Sequence, residues 1–192
     1  MRRILLAMMM TLFMVLLVGC GGGGEGNSKK EVLKNMPEMN TSEKERFKTY
    51  APNLRGGVFI ESAEVDFNKA KIVYETFAEY KKRKGDNTKI TEDSYNQYWS
   101  TGDAINKVLM EEPVRLLREF PELSAVEMTI TFNDKTYSVS IDRFTVEDYF
   151  DVDLTEIHKD SSNELWRKKI VDPYIYNEKE RAKYAKEFIK TS

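Results

Sequence analysis

Two spacings divide the chain into its expected elements. In "SAVEMTITFNDKTYSVSIDRF", Val126, Met128, Ile130 and Phe132 alternate with Glu127, Thr129 and Thr131, the period of a strand with one buried face. Asn133-Asp134 accepts positive φ, and Tyr137, Val139 and Ile141 alternate on the return, so the segment is predicted as a hairpin. Its polar face should be wet and its apolar face covered. Within Thr91 to Leu123 the period changes. Tyr95, Tyr98, Trp99, Ile105, Val108, Leu109, Leu116, Leu117 and Phe120 follow one helical face. Thr91 and Thr101 are expected N-caps, Pro113 is expected to kink or divide the helix, and Pro121 suits its exit.

The stretch from Val58 to Gly85 supports two readings. The preferred one is a hairpin: a strand over Val58–Val65, a loop at Asp66–Lys69, and a return through "AKIVYETFAEY". The rival is a helix over 66–84. Phe67, Ala70, Val73, Tyr74, Phe77 and Tyr80 recur at helical spacing, Asp66 could cap the start, "KKRK" suits the last turn and Gly85 the stop. Shorter helices are expected at Ser42–Tyr50, capped by Thr41 or Ser42, and at Thr145–Phe150 and Ser162–Val171. A last helix is expected over Glu178–Ile189 with Asn177 as its cap, and "DPYIY", Asp172–Tyr176, is expected as an extended link. The expected fold class is therefore α+β: a two-layer domain whose antiparallel sheet comes from two hairpins and is packed on one face by helices.

The N-terminus follows a different logic. "MRRILLAMMMTLFMVLLVGC" has two arginines and then fifteen residues, Ile4 to Val18, apolar apart from Thr11. That is short of the ~20 needed to span a hydrocarbon core and has the form of an export signal. "LVGC", Leu17-Val18-Gly19-Cys20, resembles the lipobox of bacterial lipoproteins. The resemblance implies cleavage between Gly19 and Cys20 and a diacylglyceryl group on the Cys20 sulfur. It implies a mature chain held to a membrane by lipid: at the outer membrane facing the periplasm in a Gram-negative cell, or on the outer face of the single membrane in a Gram-positive one. Residues 1–19 are then signal peptide, 20–41 a lipidated cysteine and flexible tether opening on "GGGGEGNSKK", and 42–192 one domain. Ten such glycine-rich residues spread over roughly 17 Å.

Composition narrows the function. Cys20 is the only cysteine, so lipidation leaves no thiol for a disulfide, a nucleophile or a metal. The formal charge of the full chain is −2 and becomes more negative without Arg2 and Arg3, which gives no reason to expect a nucleic-acid ligand. The one histidine, His158, lies in polar "TEIHKDSS" with no serine motif, and paired-histidine zinc motifs need two. Acids gather at Glu147, Asp148, Asp151, Asp153 and Glu156. "DVDLTE" opens like a calcium loop, but Glu156 stands where that loop needs glycine, which leaves at most a weak metal site over 147–156. Glu61, Glu64 and Asp66 do not make a glycosidase pair by themselves. Tyr95, Tyr98 and Trp99 either line a ligand or partner surface or belong to the core. No catalytic set, cofactor or metal is expected. The expected function is a non-enzymatic envelope binding or assembly module facing a protein partner. The alternatives are a small-ligand-binding lipoprotein and a carboxylate-based hydrolase of envelope polymers.

Overall fold

A computed structural model describes residues 31–85 and 88–192. The expected export signal, Gly19, Cys20 and the whole of the glycine-rich stretch 21–30 lie outside the described residues. The chain order is α1 (Thr41–Tyr50), β1 (Ile60–Asp66), β2 (Lys69–Tyr74), α2 (Phe77–Lys84), α3 (Glu92–Ser100), α4 (Ala104–Glu119), β3 (Ala125–Phe132), β4 (Lys135–Asp142), α5 (Arg143–Phe150) and α6 (Leu154–Lys159). A helical turn, Glu164–Trp166, then runs without a break into a π-helix, Arg167–Ile175, and α7 (Glu178–Phe188) and β5 (Lys190–Thr191) close the chain. Among the described residues no helix is long and apolar enough to cross a membrane.

The fold is α+β, as the patterning predicts. The sheet, in the order β1-β2-β3-β4-β5, differs from the expected antiparallel one, because the two hairpins meet through a parallel pair, β2 with β3. The physical reason is the connection. Residues 75–124 carry α2, α3 and α4, and a helical crossover returns the chain to start β3 in the same direction as β2. Ile72, Met128 and Val139 then align across three strands, beside Ala70, Val126 and Ile141. These side chains form the buried face on which α4 packs, while Lys71, Glu127 and Ser140 make an exposed row on the other. The fifth strand is held at the edge by reciprocal backbone bonds between Thr136 and Ser192.

Each half of the contested 66–84 segment follows a different reading. The hairpin holds through Tyr74, although β1 begins at Ile60 because Gly57–Phe59 forms a 3-10 turn. The helix takes over at Phe77, capped by Thr76 and not by Asp66, with a capping box to Glu79 and Gly85 at its stop. Thr91 caps α3 as expected, whereas Thr101 ends that helix. The break between α3 and α4 falls at Gly102 and Asp103, both at positive φ, while α4 continues through Pro113. The carbonyl that Pro113 cannot serve, Leu109 O, accepts the Tyr184 hydroxyl at 3.3 Å. "DPYIY" is not extended, since the π-helix runs to Ile175. Packing also begins upstream of residue 42. Met39 is fully buried, its N–H donates to Phe67 O at 2.9 Å, and Asn40 caps α1.

Candidate functional site

The loop between α1 and β1 consists of two 3-10 turns, Ala51–Asn53 and Gly57–Phe59, with Arg55 between them. Gly56 adopts φ 68°, and a Cβ there would come within 3.0 Å of the Trp99 ring. At Gly57 a Cβ would lie 2.2 Å from Pro52 O. These two glycines let the loop double back against the aromatic core. Leu54 is buried beneath it, and the Tyr74 hydroxyl donates to Arg55 O at 3.0 Å. The backbone of Arg55 is therefore pinned while its side chain remains partly exposed.

Beneath Arg55 lies a pair of buried acids on α4. Arg55 Nε donates to Glu111 Oε2 at 2.5 Å, and Arg115 Nη2 donates to Glu111 Oε1 at 2.5 Å, so two arginines share one carboxylate. Glu112 is fully buried, and neither of its oxygens completes a hydrogen bond of good geometry, although the backbone N–H of Arg55 faces it. Arg115 Nε stands 3.4 Å away and Arg55 Nε 3.7 Å. Burial pushes the Glu112 carboxyl up to about 7, Arg115 pulls it back and Glu111 raises it further.

Two depressions open on either side of Arg55. One, of about 460 Å³, is lined by Tyr98, Thr101 and Lys107 among others; the second, of about 590 Å³, by Glu111, Arg115, Asn163, Arg167 and Tyr176. The second wall is the π-helix and its exit. Tyr176 N–H bonds Val171 O at 3.0 Å, an i→i+5 step that stacks both residues on the groove side. The wall is fixed to α4 by Arg118, which donates to Asn163 Oδ1 at 3.2 Å and lies 4.4 Å over the Trp166 ring.

The residues singled out from the sequence do not stay together. Tyr95 and Trp99 are buried, at 3% and 2% exposure, among Phe59, Tyr80 and Phe132, so they chiefly pack the core, and Trp99 reaches only the floor of a separate small depression. Tyr98, at 38%, reaches the groove beside Arg55. His158 is exposed near the end of α6 and lines neither depression. Glu147, Asp148, Asp151, Asp153 and Glu156 do converge, around a separate depression of about 430 Å³ that also holds Lys169. Asp153 there caps α6 and Glu147 accepts the Leu154 N–H, and among the described residues no group of His, Cys, Asp or Glu could hold a metal ion. On β1, a bulge between Ile60 and Ser62 leaves Glu61 exposed along with Glu64 and Asp66. Of the four charged residues clustered at Arg55, three, Arg55, Glu111 and Arg115, carry no motif. The fourth, Glu112, had a readable signal: an acid flanked at i±4 by Val108 and Leu116 on the apolar face of a helix.

Glu112 is sealed from solvent, and both Glu111 oxygens accept hydrogen bonds from arginines. What the groove presents is guanidinium and phenol. Comparison with family models, curated proteins and solved structures finds no match.

Proposed function

We propose that this chain is an envelope lipoprotein, anchored by lipid on Cys20, whose domain binds a protein partner through the Arg55 groove. One observation carries the binding reading: exposed Tyr98 and Tyr176 stand on either side of an arginine whose backbone is pinned. Tyrosine and arginine are the residue types enriched in protein interfaces and their hot spots, and a fixed loop limits the entropy lost on docking. The anchor reading rests on the "LVGC" resemblance. Lipid would confine the domain to a plane and raise its effective concentration toward partners there.

The test is a photoreactive amino acid at position 176 in the full-length lipoprotein, irradiated in its own envelope. A discrete protein adduct is expected, and it should weaken in the Arg55→Ala variant. Both depressions fall within the volume range used by small ligands. Absence of any adduct, together with saturable uptake of a small molecule, would replace this reading with the ligand-binding one. For the anchor, Cys20→Ser is expected to abolish metabolic labelling by palmitate and to release the chain from the membrane fraction. Unchanged labelling would remove the lipid from the account.

A further inference from the structure

We propose that the groove takes an acidic segment of its partner, with one carboxylate seated against Arg55 and Arg115, and that this seating is coupled to proton uptake by Glu112. The inference rests on the protein-binding reading above and gives the partner a chemistry. The argument starts from charge. Arg55, Lys107, Arg115 and Arg167 line the two depressions against Glu111 and Glu164, and Asp172 pairs with Arg167 at 3.3 Å, which leaves an excess of one positive charge while Glu112 behind the arginines is protonated, on a chain whose net charge is −2. A concave basic surface on an acidic body concentrates its field on an anionic partner. The donors suit a carboxylate. Arg55 uses Nε for Glu111 and Arg115 uses Nη2, and each planar guanidinium carries five N–H groups. Both side chains reach solvent, at 37% and 23% exposure.

The coupling follows from what surrounds Glu112. Tyr50 faces it from α1, Arg55 from the loop, Tyr74 from β2 and Tyr98 from α3, with Glu111 and Arg115 on its own helix. The three phenols are raised further above neutrality, chiefly by burial, and both arginines stay charged. Burial pushes the Glu112 carboxyl up to about 7, so its charge changes near neutral pH. Ionised, it cancels the second arginine; protonated, it leaves one positive charge to share with an incoming carboxylate. Binding and protonation therefore favour each other, and the coupling is reciprocal.

The experiment uses the full chain in nonionic detergent micelles and a rhodamine-labelled, end-blocked hexaglutamate peptide, read by anisotropy at constant ionic strength. Affinity is expected to be about tenfold higher at about pH 6 than at about pH 8. Glu112→Gln should bind tightly at both. Arg55→Gln and Arg115→Gln should lose binding. Arg167→Gln, at a well-exposed position that cannot perturb the core, should weaken it several-fold. Wild-type binding that ignores pH, or equal binding of hexalysine, overturns the proposal. Complete competition by inorganic phosphate at matched ionic strength would assign the groove to a free anion, and self-association abolished by Arg55→Gln would assign it to a second copy; either result overturns it. If position 176 captures a protein but hexaglutamate does not bind, this inference falls and the binding reading stands. If neither occurs, both fall.

Discussion

Arg143 shows how single side chains hold this molecule together. Its guanidinium is buried and donates to three carbonyls: Leu117 O at 2.6 Å, Phe120 O at 3.1 Å and Leu123 O at 3.1 Å. It thereby serves the open end of α4 and the turn into β3. Arg143→Met should cost about 2–4 kcal/mol, because three carbonyls lose their donor away from water; urea unfolding would measure it. Glu112 makes the opposite prediction. Its carboxyl rises from the ordinary 4.5 to about 7, so the folded chain keeps a proton that the unfolded chain releases. The stability this provides is complete below about pH 4.5 and lost as pH climbs through about 7. Between those limits the group should remove on the order of 3 kcal/mol, and Glu112→Gln should lack that component. Parallel pH profiles for the two proteins would refute the assignment. The acid itself went unread, although it stands as a charge in an apolar stripe between Val108 and Leu116. Its partner Arg55 was not legible, because nothing local ties the "NLRGG" loop to a helix that begins about fifty residues later.

Elements were legible where one signal dominated and blurred where two overlapped. The Asn133-Asp134 hairpin is as expected, with both turn residues at positive φ. The 66–84 segment contains a strand and a helix in succession, and its periodicities overlapped at Ala70, Val73 and Tyr74. The π-helix had no recognisable signature, although its two buried positions, Ile170 and Ile175, are five apart, and Trp166 in the turn before it is four before Ile170. Pro113 was expected to kink or divide α4 because local reasoning cannot see that Tyr184 will supply the missing donor to Leu109 O. Tyr184→Phe should cost about 1 kcal/mol in the natural chain and distinctly less in a Pro113→Ala background, where a backbone N–H returns to that carbonyl. A double-mutant cycle by chemical denaturation would show the coupling, and strict additivity would disprove it. Gly57→Ala should destabilise the Arg55 loop by at least about 2 kcal/mol, given the approach of Pro52 O, and should reduce adduct formation at position 176 without touching the partner.

At the scale of the molecule, fold class was legible and sheet topology was not. Two hairpins can be read from alternation, but how they join depends on three intervening helices acting as one crossover. The two-residue strand β5 is too short for any periodicity, yet it covers the free edge of β4. Deleting residues 190–192 should leave the fold intact, lower stability by about 1 kcal/mol and promote concentration-dependent association, which sedimentation would detect. The parallel junction also constrains how the chain is made. Lys69 pairs with Ala125, so β2 and β3 must meet across a gap of about fifty residues. A chain synthesised from its N-terminus completes the first hairpin long before the inner neighbour of β2 exists. During that interval β2 offers an open edge, and a chaperone that grips extended backbone would have its natural foothold there until the later half of the chain emerges.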